Sequence, residues 1–204
     1  MYVVICTRNK SIAVSTLHSM MTLKMYAGGQ PIEFKYVEDL SALSKFIKET
    51  DRIMWFDYGT NLDHESLKYA LKPMEKDVKI IVFPAVTEGI DWEMFKEKAG
   101  SDEPVHQRGL NFDTEVNTKK ITGTELHDVI STTARVWVMD SKAVDKKLKS
   151  TQKNLSCSSY DGLFQQLKSL NLRVAALPSA TVVRNYTHEC LGNILQMPGL
   201  TTTA

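Results

Sequence analysis

Residues 52–71 read RIMWFDYGTNLDHESLKYAL. The run Arg52 to Phe56 is short and apolar, as a buried strand is, and Asp57-Tyr58-Gly59-Thr60-Asn61 is a turn-forming stretch that ends it. A helix carrying Leu67, Ala70 and Leu71 follows and closes at Pro73, since proline lacks the N–H that would continue it. Asp57 therefore sits at the carboxyl end of a strand that feeds a helix. In α/β sheets that edge is where ligands bind.

The same unit recurs on either side. Residues 2–6, YVVIC, predict a buried strand that ends in Thr7-Arg8-Asn9-Lys10, and residues 11–26 predict a helix stopped by Gly28-Gly29. Residues 33–37 alternate as a strand, 41–49 predict a short helix, and 78–83 are a continuous apolar run suited to a strand covered on both faces. After Pro84 periodicity lapses, and 88–121 reads as an insertion or long loop containing Trp92 and Phe95. Strand 136–139, helices 144–149 and 160–170, and a last strand 173–177 complete the chain. The alternation predicts one α/β domain over 1–204 with a mostly parallel central sheet flanked by helices.

Bulk composition narrows the function classes. The chain has 204 residues, is 43% hydrophobic and 24% charged, and carries a formal charge of +1, as an ordinary globular protein does. That charge provides no field for a polyanion, and the lysine run 142–153, KAVDKKLKSTQK, fits a solvated helix face, so nucleic acid is not an expected partner. No apolar run reaches the roughly 20 residues of a spanning helix, so no membrane partner is expected. Met1 runs directly into YVVIC without a leader pattern, and the three cysteines show no CxxC spacing. A reducing compartment, the cytoplasm, is the expectation, and Cys6 is expected in the core.

Two strand-end loops, Thr7-Arg8-Asn9 and Asp57-Tyr58-Gly59, should face one ligand from a shared rim. Arg8 offers a planar fork for phosphate or a base carbonyl, and Asp57 a hard oxygen for a divalent cation.

The order of these pieces resembles the GT-A-type nucleotide-sugar glycosyltransferases. VVICTRNK is similar to that family's first strand and nucleotide-contacting loop, and RIMWFDYGTNLDHESLKYAL to the strand that delivers its D-x-D motif. SSYDGLFQQLKSLNLRVAALPSATVVRNYTHE, residues 158–189, resembles its closing pattern of acidic helix start, strand and histidine. The resemblance implies a Rossmann-like GT-A-type fold, with a nucleotide-binding half near 1–87 and an acceptor-side half near 88–200. It implies a transferase moving a sugar from a nucleotide-diphosphate donor to an acceptor hydroxyl on a carbohydrate or protein. Thr7, Arg8, Asn9 and Asp39 would contact the nucleotide, and Asp57, as first acid of D-x-D, would bind manganese or magnesium across the diphosphate. His188 would be a late metal or diphosphate ligand, Asp161 the general base, and Asp91 and Trp92 acceptor contacts. The motif departs from the pattern at Gly59, where the second acid is missing.

Two other readings stand beside it. A non-catalytic nucleotide-binding or interaction domain would account for Gly59. A receiver-like phospho-acceptor domain would use Asp57 and the strand VKIIVFPAVTEG, but lacks the acid pair after the first strand that such a site needs for its metal.

Overall fold

A computed structural model of the chain describes residues 1–87, 89–102, 105–155 and 157–184. His188 lies outside them. The described elements run β1 (Tyr2–Cys6), α1 (Val14–Tyr26), β2 (Glu33–Val37), α2 (Leu43–Phe46), β3 (Arg52–Phe56), β4 (Thr60–Leu62), α3 (His64–Leu71), β5 (Ile80–Val82) and α4 (Trp92–Glu97). They continue with β6 (Thr114–Lys120), β7 (His127–Thr132), β8 (Val136–Asp140), α5 (Ser141–Thr151), α6 (Tyr160–Ser169), β9 (Val174–Ala176) and β10 (Val182–Arg184). No helix among them is long and apolar enough to cross a membrane.

The central sheet has eight strands in the order β2-β1-β3-β8-β5-β9-β7-β6. Pairings β1–β2, β1–β3 and β5–β9 are parallel, whereas β8 is antiparallel to both its neighbours and β7 to both of its own. Only β7 and β8 thus oppose the common direction, and the sheet is mostly parallel. This is a mixed α/β, Rossmann-like architecture, with the flanked central sheet that the alternation predicts. Its order excludes the receiver reading, which needs the strand after Asp57's helix beside β3 in a flavodoxin-like 2-1-3-4-5 sheet. Here β8 stands between β3 and β5.

Period-two side-chain alternation builds a core on each face of the sheet. Val4, Cys6, Ile53, Trp55, Val82, Trp137 and Met139 face α2, α5 and α6, meeting Leu43, Phe46, Val144, Leu163 and Phe164. Val3, Ile5, Met54, Phe56, Ile81 and Val138 face α1 and α3, meeting Met20, Leu23, Leu67 and Ala70. Trp55 and Trp137 are register partners, and their rings stack 5.5 Å apart at 3°. That pair pins β8 to β3. Because α1 and α2 cover opposite faces, the chain changes direction across the sheet between β1 and β3, and the crevice outside their carboxyl ends is a topological switch point.

Several boundaries differ from the sequence reading. Arg8 and Ser11 exchange backbone hydrogen bonds across Asn9 (φ 49°) and Lys10 (φ 59°), a tight turn that delays α1 to Val14. The aperiodic 88–121 segment contains α4 and then supplies β6, the edge strand, from Thr114 onward. Strands β4 and β10 pair with each other in a separate two-stranded ladder. The lysines of α5 are exposed, as a solvated face requires.

Candidate functional site

Three parallel strands deliver their carboxyl ends to one rim, in the spatial order β2, β1, β3. After β2 come Glu38 and Asp39, after β1 Thr7 and Arg8, and after β3 Asp57 and Tyr58. Antiparallel β8 presents its amino end at the same rim, so Arg135, the residue before it, arrives beside Asp57. A backbone hydrogen bond from the Asp57 N–H to the Arg135 carbonyl (3.0 Å) joins the two strand ends. The start of α6 adds Ser159, Tyr160 and Asp161.

These residues line a cavity of about 490 Å³, together with Cys6, Leu40, Thr133 and Ser158. Of the residues expected at the site, Thr7, Arg8, Asp39, Asp57 and Asp161 are gathered in it. Asn9 is not among its lining residues; it shapes the tight turn behind Arg8. Asp91 and Trp92 also lie off it, on the insertion. Asp91 caps α4 by accepting the Glu93 and Met94 N–H groups at 3.1 and 2.9 Å, and Trp92 is exposed with its ring edge-on to Phe95.

The centre of the cavity is an ion pair. Arg135 Nη1 donates to Asp57 Oδ2 at 2.5 Å, while Asp57 Oδ1 accepts the Tyr58 N–H at 2.8 Å. Burial opposes the charge on Arg135, yet the Asp57 hydrogen bond and charge outweigh it and hold the guanidinium pKa above its ordinary value. The guanidinium lies over the Tyr160 ring at 4.9 Å, and Arg8 lies over Tyr58 at 5.1 Å. Tyr160 in turn accepts a hydrogen bond from Trp55 Nε1 at 3.0 Å. Burial, then the Asp57 charge, pushes both the Tyr160 phenol and the Cys6 thiol far up, so both stay protonated at neutral pH. Cys6 is a core residue and no nucleophile.

The loop bearing Arg135 is held from behind by a buried polar network. Asp113 accepts hydrogen bonds from the Ala85 N–H (3.0 Å) and Thr114 hydroxyl (2.9 Å), and its carbonyl accepts the Thr133 N–H (2.8 Å). The Thr132 hydroxyl meets that of Thr114 at 2.7 Å and accepts the Ala134 N–H at 3.0 Å. Arg135 and its supports carry no local sequence motif. Only the direction of β8 brings them to the rim.

Among the described residues, those lining the cavity do not form a divalent-metal set. Both Asp57 oxygens are engaged, Gly59 has no side chain, and no group of three His, Cys, Asp or Glu suited to a metal occurs among the described residues. Gly59 has φ +73° in a turn closed by the Thr60 N–H and hydroxyl on the Asp57 carbonyl. A left-handed backbone there favours glycine over any acid.

No protein-family model and no curated protein matches the chain. Among solved structures, the crystal structure of A197 from STIV is similar with TM-score 0.51 and 10% identity, over 91% of this chain and 85% of that one. The inositol-1-phosphate CTP transferase from T. maritima has TM-score 0.49 and 10% identity, over 90% and 88%. Identity at this level speaks for fold alone.

Proposed function

We propose that the cavity binds a nucleotide-diphosphate sugar and that the chain is a glycosyltransferase that moves the sugar to an acceptor hydroxyl of a carbohydrate or protein. The observation that carries the proposal is the convergence of Thr7, Arg8, Asp39, Asp57 and Asp161, from four separate stretches of chain, on one cavity at the switch point. About 490 Å³ is also a size suited to a small ligand. The carboxylates of Glu38 and Asp39 suit ribose hydroxyls or base N–H groups, and Arg8 and Arg135 suit the diphosphate.

In the proposed reaction Asp161 takes the proton of the acceptor hydroxyl. The acceptor oxygen bonds to the anomeric carbon as the bond from that carbon to the distal phosphate oxygen breaks. The nucleoside diphosphate leaves with the electron pair, beside the two guanidinium groups. Asp161 stands on the first turn of α6, capped by the Ser159 hydroxyl on the Gly162 N–H, and Gln165 Nε2 donates to its Oδ2 at 2.7 Å. Gln165 thereby orients the carboxylate.

The test is thermal unfolding with UDP-, GDP-, CDP- and ADP-sugars, followed by release of nucleoside diphosphate with acceptors present. A bound donor raises the melting temperature by mass action. Asp161→Asn should leave that rise intact and reduce transfer by about 100-fold or more. If no nucleotide sugar shifts the melt, the proposal fails; if Asp161→Asn transfers normally, Asp161 is not the base. Gly59 in place of the second acid favours a second reading, a nucleotide-binding domain without turnover, which predicts the shift and no release.

A further inference from the structure

We infer that Arg135 is a resident positive charge of this cavity, standing where the D-x-D resemblance puts a divalent ion, and that phosphate groups bind its guanidinium directly without a metal. The inference rests on the reading of the cavity as a nucleotide-diphosphate site and names the group that holds the diphosphate.

Geometry supports it from both partners. Asp57, the residue that would bind the ion, spends Oδ2 on Arg135 and Oδ1 on the Tyr58 N–H. A guanidinium has five N–H donors, and among the described residues Arg135 spends one of them, on Asp57. Its side chain is 37% exposed and lines the cavity, against 15% for Asp57. The guanidinium carbon lies over the Tyr160 ring at 4.9 Å. Planar N–H pairs of this kind suit bidentate contact with phosphate oxygens. A fixed cation on a strand end also needs no ion to be recruited or released.

The carboxylates set where the ligand lies. Glu38, Asp39, Asp57 and Asp161 outnumber Arg8 and Arg135 around the cavity. Glu38 and Asp39 stand at the β2 end, and Arg135, with Asp57 as its paired acid, stands at the β8 end. Three strand spacings separate these ends, about 14 Å at the usual inter-strand distance. A nucleoside diphosphate, with hydroxyls toward Glu38 and Asp39 and phosphates on Arg135, fits that span.

The experiment is isothermal titration of the full chain with inorganic pyrophosphate and with CDP, UDP, GDP and ADP, first in EDTA and then in Mn²⁺, corrected for metal complexes of the ligand. Binding is expected in EDTA, with Mn²⁺ changing the affinity by less than about threefold. Arg135→Gln should weaken binding by about tenfold or more, and Arg135→Lys less, because lysine keeps the charge but loses the fork. Circular dichroism melts confirm that each variant is folded, and the lysine variant carries the comparison if the glutamine variant is not. Nucleotide binding that appears only with Mn²⁺, or that ignores both Arg135 substitutions, overturns the inference and leaves the nucleotide reading intact. Arg135-dependent pyrophosphate binding with no preference for any nucleotide does the reverse. No binding of any probe overturns both.

Discussion

At the residue scale, Gly59 governs what Asp57 can do. Its φ of +73° belongs to the turn that folds Thr60 back onto the Asp57 carbonyl, so an acid there meets backbone strain before it meets a metal. Gly59→Asp is predicted to lower stability by up to about 1 kcal/mol, the low end of the cost for a left-handed L-residue, since Asp tolerates that region better than most. Urea denaturation would measure it, and melts with Mn²⁺ should show no gain from the added carboxylate. A variant as stable as the parent and further stabilised by Mn²⁺ would mean that the motif can be rebuilt. Asp57 and Thr7-Arg8 were legible in the sequence as residues of one rim because a polar loop after an apolar run marks a strand's carboxyl end. Asp91 and Trp92 were drawn in only by family resemblance, and the structure spends Asp91 on capping a six-residue helix.

At the scale of elements, β8 supplies what sequence patterning could not. Val136 to Met139 is visibly a strand, but an apolar run has no direction, and a parallel assignment sends Arg135 to the far rim. Strands β4 and β10 escaped detection because three residues set no period, and β7 because its burial does not alternate cleanly. The connection from β7 to β8 depends on Asp113, whose carboxyl burial pushes above the usual range despite the Ala85 and Thr114 hydrogen bonds and the charge of Arg184. A raised carboxyl pKa contributes stability that is present below about pH 4 and lost as pH rises through the folded pKa. Asp113→Asn keeps one acceptor oxygen and removes that titration. Relative to Asp113→Asn, the parent should therefore lose stability between pH 4 and neutrality in urea unfolding. An unchanged difference across that range would show that Asp113 titrates normally.

On the scale of the whole molecule, the sheet order places one crevice where α1 and α2 diverge to opposite faces, and the cavity occupies it. Both halves of the chain build this cavity: Cys6 to Tyr58 from the first, Thr133 to Asp161 from the second. The fold class was legible because strand and helix periods alternate through residue 83, whereas the larger groove of about 800 Å³ between α2 and α5 has no such topological reason to bind a ligand. A crystal structure of the chain soaked with CDP, UDP, GDP or ADP under EDTA tests the central claim most directly. The account predicts diphosphate oxygens within hydrogen-bonding distance of Arg135 and ribose or base directed toward Glu38 and Asp39. Density for the nucleotide in the α2–α5 groove, or an unliganded cavity at saturating nucleotide, would contradict it.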